Sequence, residues 1–337
     1  MPTPAATPVP KKLSSVPIRD LGLRIEGTPL EDVIHEFLAE LEHVSVRRLR
    51  PHFYLSTEWG VPFGTVSIAI PFYLARTELT KLHAERHGHV EGAGRADILR
   101  YLRHEMGHVV NYAYLLYEQE EWIKLFGSIT QPYEEEFRPE PFSRRFVRHL
   151  PGWYAQKHPD EDWSETFAVW MTPGRDWRGE YADWPEALAK LEYCDRSMKA
   201  LGDCTLPVTA TELDEDVGEL AYSLDSFYGL ESPRRAEMPR GLDGALRTIF
   251  EDAGTAGERR SASALIRRLE NDLMDSVYRW TGHFPERTRA LVRFLADRAD
   301  QLQQAYPAEQ EASATVGVTT LVTALAVNYV HRGTYMP

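Results

Sequence analysis

Apolar residues recur every three or four positions near the start of the chain, which is the spacing of one face of an α-helix. Thr28 is of a type preferred at a helix start. Pro29 suits the first helical position, where a missing N–H costs nothing. The pattern therefore predicts a first helix over residues 29–43. Its apolar face consists of Leu30, Val33, Ile34, Phe37, Leu38 and Leu41.

Two later segments are rich in β-branched and aromatic residues and are bounded by Gly and Pro. Residues 50–55 and 64–70 are predicted to form strands of a small sheet. Pro71 has no N–H to give to a sheet, so the end of the second strand is expected to be an edge. Such an edge suits either an extended substrate or an ordinary structural strand.

A second helical repeat starts at Asp97, which is expected to cap it. Its apolar positions are Ile98, Leu102, Met106, Val109, Val110, Ala113 and Leu116. The segment before it, residues 82–94, holds His83, His87 and His89 among glycines and charged residues. These histidines come without a thiolate or a third ligand at suitable spacing, so the segment is predicted to be a solvated loop.

Helical periodicity dominates the last third of the chain and predicts helices at residues 242–250, 262–280, 285–306 and 314–330. The first twenty residues are Pro-rich and are predicted to be a disordered tail, 1–20. The fold class expected for the rest of the chain is α+β: a small sheet with helices, followed by a mainly helical C-terminal region.

Composition narrows the class of protein. The 337 residues are 43% hydrophobic and 26% charged, as expected for a soluble globular protein. A net charge of −13 argues against nucleic acid or an anionic membrane surface as partner. The uncharged run 314–330 contains several threonines and is read as a buried helix, not a membrane span. No secretory signal is recognised, so a cytoplasmic location is expected.

The chain has only two cysteines, Cys194 and Cys204, so a disulfide framework is excluded. Two free thiols are expected, with one small loop-closing bridge as the alternative.

The strongest chemical signal is His104-Glu105-Met106-Gly107-His108. Positions i and i+4 of a helix lie on one face, so both imidazoles can reach one zinc ion. Glu105 points away from that pair and is therefore expected to be a general base. The alternative is a buried amphipathic helix that happens to carry two histidines.

A second informative stretch runs over residues 150–170, with Pro159 where a helix would begin. Glu161 and Glu165 again stand at i and i+4. They would either complement the dipole of the helix N-terminus or supply the third protein ligand that a catalytic zinc needs.

The two stretches together resemble the gluzincin metallopeptidases, and most closely the bacterial zinc-binding metallopeptidases whose second motif reads like His-Pro-Asp-Glu-Asp-Trp-Ser-Glu-Thr-Phe-Ala, here residues 158–168. The resemblance covers about residues 97–173. It implies a zincin-like metallopeptidase domain, placed at 21–204, whereas the helical periodicity of the remainder predicts a separate helical region at 205–337. It also implies that Glu161 is the third ligand and that Glu165 hydrogen-bonds a ligating histidine.

The second motif also resembles that of the anthrax lethal factor and Pro-Pro endopeptidase group. That resemblance implies that Tyr154, seven residues before Glu161, helps to bind the oxyanion. The alternative is a packed aromatic residue with a solvated hydroxyl. Ser164 stands where Ala is usual, and the zinc ribbon of some relatives is missing, since only two cysteines exist.

Three arginines, Arg144, Arg145 and Arg148, precede Tyr154 and form a local basic cluster on an acidic chain. They are predicted either to recognise an acidic side chain or a free peptide C-terminus, or simply to pair with Glu134, Glu135 and Glu136.

The function expected from these features is zinc-dependent hydrolysis of a peptide or protein substrate. His104, His108 and Glu161 would bind Zn²⁺, Glu105 would act as general base and Tyr154 would bind the oxyanion. Two alternatives remain open: a zinc amidase or deamidase acting on a small molecule or side chain, and a non-catalytic scaffold containing zinc. Retention of Glu105 disfavours the scaffold, which has no use for a base.

Overall fold

The structure is a computed structural model. It describes residues 14–44, 46, 48–87, 89–133, 137, 139–140, 142–201, 204–230, 241–252 and 259–336.

The described chain is a mixed α+β protein with two small sheets and a mainly helical C-terminal region, which confirms the coarse fold class. Its α-helices are α1 (Pro29–His43), α2 (Thr77–His87), α3 (Arg95–Ala113), α4 (Glu120–Phe126), α5 (Pro159–Met171), α6 (Trp177–Glu180), α7 (Pro185–Leu201), α8 (Leu224–Leu230), α9 (Asp243–Ile249), α10 (Ala262–Arg268), α11 (Glu270–Thr281), α12 (Pro285–Gln301) and α13 (Glu311–Arg332). Its strands are β1 (His52–Ser56), β2 (Ser67–Pro71), β3 (Glu251–Asp252), β4 (Arg259–Ser261) and β5 (Gln304–Pro307).

Helix α1 has the predicted bounds, with Thr28 at the N-cap and Pro29 in the first turn. Its predicted apolar face is buried at Leu30, Val33, Ile34, Phe37 and Leu41.

Helix α3 starts two residues earlier than predicted, with Gly94 at the N-cap, so the assignment of Asp97 as cap was wrong. Asp97 lies in the first turn instead, where its carboxylate accepts the backbone N–H of Gly92 at 2.9 Å. Gly92 has a φ of +92°, a backbone conformation that favours glycine. The carboxylate therefore fixes the turn that leads into the helix.

Strands β1 and β2 pair in parallel, with His52 opposite Ser67. All of β2 is buried. On the side of β2 that does not pair with β1, Ala69 donates its N–H to Gly60 O at 2.8 Å. The free edge expected near Pro71 is therefore paired with Gly60 at this position.

The prediction of a loop over residues 82–94 was wrong for its first half, because α2 extends to His87. His83 stacks on Tyr73 with ring centroids 3.7 Å apart and on His87 at 4.6 Å. Burial lowers the pKa of His83 to about 3, so it is a neutral packing residue. The helix has a weak apolar stripe, and this ring stack supplies packing that periodicity does not reveal.

The C-terminal region contains a three-stranded antiparallel sheet, in the order β3-β5-β4, that the sequence did not predict. The helix predicted over 285–306 ends at Gln301, and Tyr306 belongs to β5. The helix predicted over 262–280 is divided at Leu269 into α10 and α11.

Two hydrophobic cores account for most of the buried apolar side chains. One includes residues between Ile18 and Tyr228, and the other residues between Leu242 and Tyr335. Of the predicted tail, residues 1–13 lie outside the described residues, whereas Ile18 is fully buried and donates its N–H to Tyr222 O at 2.9 Å. Cys194 and Cys204 are free thiols, as expected.

Helix α13 buries one face only, so the prediction of a buried helix was correct in part. That face consists of Ala314, Val318, Val322, Leu325 and Ala326. Among the described residues, one helical segment, Ala308–Arg332, is long and apolar enough to cross a membrane, and about a quarter of its most apolar stretch is buried. A single such helix is weak support for a span, and the cytoplasmic location stays a prediction.

A buried ion pair joins α5 to α7. Lys190 Nζ lies 2.6 Å from Asp162 Oδ2, and both side chains are almost fully buried. Lys190 also donates to Arg145 O at 2.9 Å. The pair fixes the back of α5, which carries the carboxylates described below.

Replacing Lys190 by Met should destabilise the protein by about 3–5 kcal/mol, because a buried carboxylate would lose its counter-charge. Lys199→Met is the matched control, since Lys199 also pairs with an aspartate, Asp195, but is 72% exposed. Its effect should stay below about 1 kcal/mol. Urea unfolding of both variants measures the difference, and equal midpoints would contradict the importance assigned to the buried pair.

Candidate metal centre

The site is built where α3 and α5 approach each other most closely. A Cβ on Gly107 would lie 2.6 Å from Ser164 Cα, so a side chain at position 107 would collide with the backbone of α5. Trp163 Nε1 donates to Gly107 O at 2.8 Å and fixes the two helices in this position. The first turn of α5 is thereby brought against the two histidines of α3.

His104, His108 and Glu161 are buried and converge on one point. Glu161 Oε2 lies 2.9 Å from His104 Nε2 and 3.3 Å from His108 Nε2. The two Nε2 atoms are themselves 3.3 Å apart. The three predicted ligands are therefore brought together, close enough to bind a metal ion.

Each imidazole is held by its own carboxylate through the other ring nitrogen. His104 Nδ1 lies 3.0 Å from Glu165 Oε1, as the sequence had suggested for one of the two histidines. His108 Nδ1 lies 2.9 Å from Asp160 Oδ2. Both rings thus have the carboxylate partner that usually orients a metal-binding histidine.

These two carboxylates are in turn held by several donors. Glu165 accepts the backbone N–H groups of His149 at 2.7 Å and Leu150 at 2.8 Å. Asp160 accepts from Asn111 Nδ2 at 2.7 Å and from the Tyr112 hydroxyl. The orientation of each imidazole is therefore fixed by its carboxylate and by the groups that hold that carboxylate.

The donor set fits a cation. With each Nδ1 proton directed at a carboxylate, the Nε2 atoms of neutral rings carry lone pairs. Two lone pairs and a carboxylate oxygen at these separations repel one another unless a positive charge, either a proton on a ring nitrogen or a metal ion, lies among them. A tetrahedral zinc with ligand bonds of about 2.0–2.1 Å separates its ligand atoms by roughly 3.3 Å, which matches two of the three observed separations; the third is 2.9 Å.

Buried charges perturb the titration of the ligands. Burial opposes protonation of His104, but its hydrogen bonds with Glu161 and Glu165 outweigh that effect and raise its pKa to about 9. Burial opposes ionisation of Glu161, but the two imidazoles hold its pKa well below its usual value. A metal ion binding here would therefore displace protons from the histidines.

Glu105 is buried beside the ligands and borders the cavity in front of them. Burial raises its pKa to about 7, although the histidines oppose this. No hydrogen bond joins its carboxylate to another described residue, and the position suits proton transfer near neutral pH.

Two tyrosines border the same cavity. The Tyr154 ring lies 5.5 Å from the His104 ring, edge to face, and burial raises its pKa well above the usual value. Tyr133, which the sequence did not single out, donates its hydroxyl to Glu161 Oε1 at 2.8 Å and also hydrogen-bonds Tyr154. Tyr154 turns toward the site in a short 3₁₀ segment that follows Trp153, whose φ is +63°.

The cavity at this site has a volume of about 380 Å³. Trp59 and Phe63 belong to its wall. Phe63 is 65% exposed and contacts Tyr112. Trp163 is fully buried and does not line the cavity.

The three arginines do not line this cavity within the described residues. Arg145 pairs with Glu140 at 2.7 Å on the surface, and Arg148 stacks on Trp153 at 3.8 Å. Arg144 is exposed. Their suggested partners, Glu134, Glu135 and Glu136, lie outside the described residues.

Asp160 and Tyr133 are among the site residues that sequence reasoning missed, as are Asn111 and Tyr112, which hold Asp160. Asp160 was visible as an acidic residue directly before Glu161, and a search for a carboxylate partner for each histidine would have found it. Tyr133 lies 28 positions from Glu161 and had no sequence signal. Comparisons with protein-family models, with curated proteins and with solved structures find no match to this chain, so the site is interpreted from its own geometry.

Proposed function

We propose that this protein is a zinc-dependent metallopeptidase with a zincin-like core. The observation that supports this best is the convergence of His104, His108 and Glu161 beside Glu105, all of which line one cavity. A purely structural metal site is usually closed by four protein ligands, whereas three ligands and a free carboxylate are typical of hydrolytic sites. Membership of the gluzincin group, which the two sequence motifs resemble, is part of this proposal.

Zinc is the metal that the ligand types favour. Two imidazole nitrogens and one carboxylate oxygen match catalytic zinc sites, whereas Mg²⁺ and Ca²⁺ take mainly oxygen ligands. A zinc ion held there supplies Lewis acidity, which lowers the pKa of a water molecule toward 7 and polarises a carbonyl group.

The side chains of the chain itself do the remaining work. Glu105 accepts a proton from the attacking water and returns it to the leaving amine. Tyr154 donates a hydrogen bond to the oxygen on which negative charge develops. Glu165 and Asp160 keep the two imidazoles in the tautomer and orientation that ligation requires.

The size of the cavity is compatible with two substrate classes, which experiment can distinguish. A volume of about 380 Å³ would hold a short peptide segment or a small amide. Zinc content measured together with turnover on a peptide library and on small amides tests the proposal. Zinc with peptide turnover supports it, activity on small amides alone indicates an amidase, and zinc without turnover indicates a scaffold.

Glu105→Gln should retain zinc and lose turnover by at least about 10²-fold, because the amide keeps the shape of the side chain but accepts no proton. Metal analysis and peptide hydrolysis of the same preparation measure both quantities. Near-normal turnover would refute the general-base role.

Glu161→Ala should release zinc much more readily than Glu165→Ala, because only the first change removes a ligand. Loss of the carboxylate behind a ligating histidine typically costs about 10–100-fold in affinity. Competition with a chelator measures the order, and the reverse order would show that the wrong carboxylate was assigned as ligand.

Tyr154→Phe should leave zinc affinity intact and lower kcat and kcat/KM together, by about 10²–10³-fold for a lost oxyanion donor. Tyr133→Phe is the comparison variant: its hydroxyl bonds the candidate ligand Glu161 as well as Tyr154, so its loss should weaken zinc binding, which Tyr154→Phe should not. A change confined to KM in Tyr154→Phe would instead identify Tyr154 as a substrate-binding residue.

A further inference from the structure

A second cavity, of about 370 Å³, lies where the segment before Tyr154 meets α11. It shares no lining residue with the cavity at the metal centre. Its charged lining residues are Arg100, Arg148, Arg175, Glu180 and Arg279. Four guanidinium groups around one small space are unusual for a chain with a net charge of −13.

Two of the four arginines are neutralised by carboxylates. Arg175 makes two hydrogen bonds to Glu180, at 2.6 and 3.1 Å. Arg100 pairs with Asp97 at 2.6 Å.

Arg148 and Arg279 have no carboxylate of the described residues within salt-bridge distance, so two of the four guanidinium groups form no ion pair in this part of the chain. His149 adds no positive charge, because burial lowers its pKa to about 4.

Arg148 is the more informative of these two residues. It is half-buried, and this burial lowers its pKa. The face of its guanidinium stacks on Trp153 at 3.8 Å. Its guanidinium makes no hydrogen bond to any described residue, so the N–H groups at its edge are available to a ligand. Such donors suit the planar, two-point recognition of phosphate or carboxylate.

The remaining wall is largely apolar and aromatic. Trp184 and Trp280 line it together with Leu150 and Pro151, and Trp280 is 59% exposed although it is a large aromatic residue. Exposed indole surface beside unpaired guanidinium groups suits a ligand with an apolar ring and a charged group.

We propose that this cavity binds a small organic phosphate, with the phosphate on Arg148 and Arg279 and an apolar ring against the tryptophans. A phosphate monoester carries about 1.5 to 2 negative charges at neutral pH, which matches the two arginines that form no ion pair in the described part of the chain. The proposal goes beyond hydrolysis at the metal centre and does not depend on it.

The cavity also adjoins the backbone segment that holds Glu165 at the metal centre. His149 and Leu150 line it, and their backbone N–H groups hold Glu165, the partner of His104. A ligand here would therefore contact the segment that orients one metal ligand without reaching the metal site itself.

Calorimetric titration with phenyl phosphate at pH 7.5 tests the proposal. We expect binding of one molecule per chain, with phenol giving no binding because it lacks the charge. Arg148→Met and Arg279→Met should each weaken binding by at least about tenfold, the effect of losing a charge-assisted hydrogen bond. The titration is repeated after metal removal, because phosphate also coordinates metal ions, and should give the same affinity.

Arg178→Met is the matched control. Arg178 stacks on Trp177 at 3.9 Å much as Arg148 stacks on Trp153, but it pairs with Asp195 at 2.8 Å and does not line the cavity. It should leave the affinity unchanged. Thermal unfolding checks each variant, and the exposed Arg279 provides the test if Arg148→Met does not fold. Absence of binding at millimolar phenyl phosphate, binding lost on metal removal, or equal loss in Arg178→Met would overturn the proposal.

Discussion

The candidate metal centre depends on how closely α3 and α5 approach, and the missing side chain of Gly107 sets that distance. A Cβ at this position would lie 2.6 Å from the backbone of Ser164, so the helices would separate. At the observed distance Glu161 reaches both histidines, and its neighbours reach the other side of each ring. The segment from His104 to His108 therefore does two things. It places two candidate ligands at i and i+4, and its glycine lets helix α5 approach closely.

This close approach concentrates negative charge where water is excluded. Asp160, Glu161 and Glu165 are all buried around two imidazoles. Buried charges persist only when they are paired or coordinate a metal. Backbone and side-chain donors satisfy Asp160 and Glu165, but Glu161 directs an oxygen at two ring nitrogens. A divalent cation at that point would offset the charge that these donors leave uncompensated, which is the physical reason to expect a metal ion there.

Sequence reasoning found the ligands because their spacing is local, whereas it missed features that depend on tertiary contacts. His104 and His108 follow from the helical period, and Glu161 came from the resemblance of the second motif. Tyr133 reaches Glu161 from a distant, irregular segment. In the fold, β3 and β4 are two and three residues long and largely polar, so no alternation marks them. Helix α2 packs through His83 on Tyr73, a contact that no apolar period shows.

The cavity lined by Arg148 and Arg279 is linked to the candidate metal centre through the carboxylate of Glu165. Glu165 holds His104 through one oxygen and accepts the N–H groups of His149 and Leu150, which follow Arg148 directly. Moving this backbone would therefore break hydrogen bonds of 2.7–3.0 Å to the group that orients a metal ligand. The Arg148 guanidinium can rearrange without that cost, since the hydrogen bonds to Glu165 come from the backbone N–H groups of His149 and Leu150. A ligand that only reorients the guanidinium groups would leave the metal centre intact, whereas one that displaces the backbone would loosen His104.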